Sequence, residues 1–112
     1  MPTVKPISEF EQLVLLALAR LDSDAYGMTV SKDIEARTAR VASLAAVYST
    51  LGRLEKAGLV SSWISPPTQQ RGGRATKHFE IKRSGVLALE AAHQTMQRMR
   101  EGLDFSRELE AR

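Results

Sequence analysis

The sequence predicts a mainly α-helical fold carrying one small β-hairpin, and three observations predict it. Apolar residues recur at helical spacing in four segments. Two short runs of strand-forming residues, Leu59 to Ile64 and Lys77 to Ile81, flank a loop containing Pro66-Pro67 and Arg71-Gly72-Gly73-Arg74. The charge is also localised. Residues 59–83 carry Arg71, Arg74, Lys77, Lys82 and Arg83 against Glu80 alone, while residues 1–58 hold seven basic and seven acidic side chains and residues 84–112 net −1. A helix followed by a hairpin with a basic, glycine-bearing tip is the plan of a winged helix-turn-helix. A cationic hairpin tip also suits contact with phosphates.

The elements follow in order. Met1 to Ile7 holds two prolines and reads as an arm or frayed end, with a lysine at position 5. Ser8-Glu9-Phe10-Glu11 is a capping box, and its two acids suit the positive end of a helix dipole. Phe10, Leu13, Val14, Leu16, Ala17 and Leu21 then form a broad apolar face. Leu15 and Leu18 widen it until the helix is expected to face both its own domain and a partner subunit. Leu21 to Asp24 is a turn, with Ser23 or Asp24 available to cap a second helix whose face is Tyr26, Val30 and Ile34, ending near Arg37 or Thr38. Ala39 to Ala42 bridges to Ser43, the expected cap of a third helix built on Leu44, Val47, Leu51 and Leu54. Gly58 lies just past its last turn.

Two helices joined by a short connection form a helix-turn-helix. On the third helix the outward set reads Ala46, Ser49, Thr50 and Arg53. Small side chains there let the backbone enter a major groove, and a long cation can then reach a base edge or a phosphate. Trp63, on the first strand, is expected to pack against this helix. Beyond the hairpin, Arg83-Ser84-Gly85 opens a last helix with Ser84 as its expected cap. Val86, Leu87, Leu89, Ala92, Met96, Met99 and Leu103 run along it at spacings of three and four. The first three helices and the hairpin already close a core, so this stripe reads as a dimerisation surface. Asp104 to Arg112 extends that helix or frays. The chain thus divides into a winged helix-turn-helix region, 1–82, and a C-terminal dimerisation helix, 83–112, within one compact domain.

Much chemistry is excluded. The chain has no cysteine, so disulfides, thiolate metal sites and cysteine nucleophiles are absent. His78 and His93 share no ligand spacing with a carboxylate and read as surface histidines. No phosphate-binding glycine loop, dinucleotide fingerprint or nucleophile elbow is present, so no cofactor and no enzymatic activity are expected. No apolar run approaches a membrane span and no signal-peptide pattern opens the chain, which points to a cytoplasmic protein with no membrane contact.

Several segments together resemble the PadR family of bacterial transcriptional regulators. They are Asp24-Ala-Tyr-Gly27, Ile34-Glu-Ala-Arg-Thr38, Ser43-Leu-Ala-Ala-Val-Tyr-Ser-Thr-Leu51, Arg53-Leu-Glu-Lys-Ala-Gly-Leu59, Arg71-Gly-Gly-Arg74 and Phe79 to Gly85. The resemblance spans residues 9 to 100, and Val47 to Leu59 is its most specific part. It implies a homodimeric winged-helix repressor that dimerises largely through the C-terminal helix and binds a dyad-symmetric operator in double-stranded DNA. Tyr48 matches the family's recognition-helix tyrosine, which sits against DNA backbone, and Arg71 and Arg74 match its basic wing. The expected DNA-contacting set is therefore Ser43, Ala46, Tyr48, Ser49, Thr50, Arg53, Arg71, Gly72, Gly73, Arg74 and Lys77. The expected dimerisation set is Leu15, Leu18, Leu89, Ala92, Met96, Met99 and Leu103. Members that bind flat aromatic drugs resemble each other in a tryptophan on the C-terminal helix. This chain has none there, so stacking of such a drug is unsupported, and the sequence names no effector. The short C-terminal region resembles the compact branch of the family. A competing reading is a winged-helix module for protein contacts, without specific DNA binding.

Overall fold

The computed structural model describes residues 5–67 and 75–110. Five α-helices and one antiparallel hairpin follow one another as α1 (Glu9–Leu21), α2 (Gly27–Thr38), α3 (Leu44–Lys56), β1 (Val60–Ser65), β2 (Thr76–Ile81), α4 (Arg83–Arg100) and α5 (Ser106–Glu110). A 3-10 turn at Asp22–Asp24 joins α1 to α2. The local signals explain most of the boundaries. Ser8 caps α1 reciprocally: its amide donates to Glu11 Oε1 at 2.7 Å and its Oγ accepts from the Glu11 amide at 3.1 Å. Ser43 Oγ accepts from the Ala46 amide at 3.1 Å and starts α3. Gly58 ends the same helix at φ 79°, a left-handed conformation that glycine adopts without steric cost. The following Leu59 amide then reaches back to the Leu54 carbonyl at 3.0 Å.

Two expected caps are replaced by contacts from elsewhere. Tyr26, not Ser23 or Asp24, is the N-cap of α2, and its amide donates to Thr29 Oγ1 at 2.9 Å. Lys82 precedes α4, while the Ser84 hydroxyl donates to the Gly58 carbonyl at 2.6 Å and ties α4 to the end of α3. The C-terminal segment also differs from a simple extension of α4. It breaks after Arg100 and resumes as α5, with Gly102 at φ 80° between them.

The core gathers one stripe from each of the first three helices and closes it with the hairpin. Val14, Leu15, Ala17 and Leu18 of α1 meet Val30 and Ile34 of α2, Val47, Leu51 and Leu54 of α3, and Val60 and Phe79 of the strands. The hairpin pairs Val60 with Ile81 and Ser65 with Thr76 at its two ends. It gains a third short edge because the Phe79 amide donates to the Ala25 carbonyl at 2.9 Å and Tyr26 bridges His78. The α2–α3 turn is anchored from α2: Ser31 donates to the Ala42 carbonyl, and Glu35 Oε2 accepts from the Ala42 amide at 3.0 Å. These bonds hold the start of α3 against α2.

Three side chains sit otherwise than expected. Leu15 and Leu18 are 0 % and 1 % exposed. Both are consumed by the chain's own core and leave no surface for a partner; Leu16 is the leucine of α1 that faces out. His78 is buried rather than on the surface. Its ring lies flat against Trp63, centroids 4.2 Å apart, and edge-on to Tyr26, with Nε2 3.0 Å from Ser65 Oγ. The stacking partner of Trp63 is therefore this imidazole on the neighbouring strand, not the third helix.

Only the first half of α4 belongs to this core. Gly85 and Ala88 are buried and Leu89 packs against it, but every residue from His93 to Glu110 is exposed. Met96 is 60 % and Met99 72 % exposed, with Leu103, Phe105 and Leu109 also open. Between α1 and α4 runs a groove of about 550 Å³ whose lining includes Leu16, Ile81, Val86, Leu89, Ala92 and Met96. No helix among the described residues is long and apolar enough to cross a membrane.

Candidate nucleic-acid interface

The site is built on α3. With Val47, Leu51 and Leu54 inward, a helix of 3.6 residues per turn turns Ala45, Ser49, Gly52 and Lys56 furthest from the core. All four are exposed. Of these, only Ser49 belongs to the expected set. Ala45, Gly52 and Lys56 were legible from the same periodicity, had the outward face been drawn opposite the buried one rather than beside it. A Cβ added at Gly52 would meet nothing within 4 Å. The middle of this strip is therefore open backbone.

Contacts with three other elements border the strip. Tyr48 lies over the start of α2: a Cβ added at Gly27 would fall 2.4 Å from its Cζ, so the glycine makes room for the ring. Tyr48 itself remains half exposed. Glu55 faces the hairpin, where it accepts from the Ser62 hydroxyl and pairs with Lys77 Nζ at 3.4 Å. The Ser62 bond, with help from Lys77, holds the Glu55 carboxyl below its usual range. On the α1 side, Arg53 donates from Nη1 to Ser49 Oγ and from Nη2 to Thr50 Oγ1, both at 3.1 Å. Its Nε lies 3.8 Å from Glu11 Oε2.

The expected contact residues thus divide. Ala46, Tyr48, Ser49 and Arg53 are exposed on α3, and Ser43 caps its start. Thr50 is only 2 % exposed and faces the core, so it serves as an anchor for Arg53 and not as a groove contact. Lys77 is on β2, pairs with Glu55 and also lies 5.4 Å from the Phe79 ring centre. Arg71, Gly72, Gly73 and Arg74 lie outside the described residues. Among the described residues, no cluster of histidine and carboxylate side chains is placed to hold a metal ion.

The fold has counterparts among known proteins. A family model for the PadR-like transcriptional regulators matches residues 14–91. The chain belongs to the PadR-like family. The match runs from α1 through the hairpin to the buried half of α4 and stops before the open half. Among solved structures, a PadR family transcription regulator from Clostridium difficile superposes with a TM-score of 0.69 at 22% identity, covering 84% of this chain and 93% of that one. A PadR-like transcriptional regulator from Bacillus cereus gives 0.62 at 20% identity over 84% and 93%. The Staphylococcus aureus MepR–DNA complex gives 0.59 at 17% identity, covering 88% of this chain and 66% of that one. At these identities the likeness is one of fold. No curated protein matches the chain in sequence.

Proposed function

We propose that this PadR-like regulator is a homodimeric repressor that binds a dyad-symmetric operator in double-stranded DNA. The observation that carries the reading is the outward strip of α3. It is apolar only in small residues, centred on bare backbone at Gly52, ended by Lys56 and flanked by Tyr48 and Arg53. A helix so shaped enters a major groove closely, because no long apolar side chain keeps it away. The half-exposed Tyr48 ring edge, together with Arg71 and Arg74, would take phosphates. The open half of α4 supplies the dimer, and two α3 helices related by a two-fold axis would read two half-sites. Repression then follows from occupancy of the operator.

The test is enrichment of bound duplexes from a random pool by the purified full chain. The expected product is an inverted repeat with half-sites about one helical turn apart. Enrichment of no motif, alongside binding to an acidic protein through the hairpin, would establish the interaction-module reading instead.

A further inference from the structure

The ion pair between the first turn of α1 and the exposed face of α3 has a role in neither core nor cap. Arg53 has five N–H donors. Three of its nitrogens are engaged within the chain: Nη1 on Ser49, Nη2 on Thr50 and Nε towards Glu11. Two of those anchors are fixed. Thr50 is buried, and Glu11 is held by the bond from the Ser8 amide to its Oε1, leaving its side chain 20 % exposed. The guanidinium is therefore drawn along α3 towards α1, and a carboxylate faces its charge. A cation held this way offers less to a passing phosphate than a free arginine does, since the phosphate must approach a carboxylate as well.

The geometry points to Glu11 as a positioning residue for Arg53: it withholds the guanidinium from the phosphates of random DNA and releases it where a base edge in the operator gives a bidentate acceptor. This rests on the DNA-binding reading above and adds a specificity device to it. Glu11 acts only through Arg53, so the two residues must show coupling.

The substitution Glu11→Gln isolates the charge, because glutamine at this position still completes a capping box with Ser8 and leaves α1 intact. Titrations compare the enriched duplex with a random-sequence duplex at several salt concentrations. For Glu11→Gln, affinity for the random duplex should rise about two- to fivefold per subunit, the range an exposed ion pair spans. The log–log salt slope on that duplex should steepen by up to about 1 per subunit. Arg53→Ala alone should weaken the enriched duplex more than the random one. In Glu11→Gln/Arg53→Ala the gain on random DNA should vanish. A gain that survives in the double variant would make Glu11 a general charge effect and overturn the proposal, as would random-duplex binding unmoved by Glu11→Gln. If the wild-type chain itself prefers no duplex over random DNA, the DNA-binding reading fails first and the device falls with it.

Discussion

Two residues, Gly52 on α3 and Asp33 on α2, show how differently a single position can be used. Gly52 sits in the middle of a helix, where glycine costs about 1 kcal/mol relative to alanine. Nothing in the protomer requires it, since its Cβ position is empty. Gly52→Ala should therefore stabilise the free protein by roughly 0.5–1 kcal/mol in urea unfolding. It should also weaken operator binding if the groove approaches the backbone there. A variant that is stabilised and binds DNA unchanged would place the contact elsewhere. Asp33 is the opposite case, a structural carboxylate. The Arg20 guanidinium donates to it at 2.8 Å, joined by Arg37 at 3.3 Å, and the Arg20 hydrogen bond chiefly holds its pKa below the usual 3.8. Its folded value is lower than its unfolded one. The pair's contribution is therefore complete above the ordinary aspartate range and is lost as pH falls through the lowered folded value. Asp33→Asn should cost about 0.5–1 kcal/mol at neutral pH and reduce the dependence of stability on pH below about 4. An acid limb identical to wild type would remove Asp33 from the α1–α2 contact.

At the scale of elements, the hairpin and α3 act as one unit because Glu55 binds Ser62 and Lys77 across their junction. The paired strands should then follow α3 onto DNA. If Arg71 and Arg74 meet phosphates, each should contribute about one counterion equivalent, so a dimer lacking both should lose about 4 from the log–log salt slope. Sequence preference should be largely kept, because phosphate contacts position the protein and carry no base information. A salt slope equal to wild type after Arg71→Ala/Arg74→Ala would take the wing out of the interface. The element boundaries were mostly legible in the sequence, since Ser8, Ser43 and Gly58 act on backbone within a turn of themselves. What could not be read were pairings between distant segments. Periodicity marks Leu15, Leu16 and Leu18 alike as apolar, yet the placement of α2 and α3 decides that Leu16 alone faces out. Thr50 was legible by contrast: it shares the helical face of Val47, Leu51 and Leu54, and it is buried with them. The burial of His78 depends on Trp63 and Tyr26, which lie 15 and 52 positions away in the chain, so no local pattern announces it.

For the whole molecule, the decisive feature is the half of α4 that leaves the domain. The described chain extends 56 by 42 by 20 Å, and its exposed end carries Met96, Met99, Leu103 and Phe105. Four large apolar side chains exposed within ten residues are more than scattered surface hydrophobics and mark an interaction site. A second copy laid along it would bury these residues together with the groove beside Leu16 and Leu89. Met96→Glu should then shift sedimentation from a dimer towards a monomer at micromolar concentration, with the helical signal of each protomer kept. If that dimer sets the spacing of two α3 helices, the same variant should lose the preference for paired half-sites. The most direct test of the account is a titration of the enriched duplex beside a single half-site and a random duplex, at fixed salt, with stoichiometry measured. The account predicts two protomers per full site and an affinity about 10³-fold or more above random DNA, with the single half-site far weaker than the full site. Equal affinity for all three duplexes, or one protomer bound per full site, would contradict it.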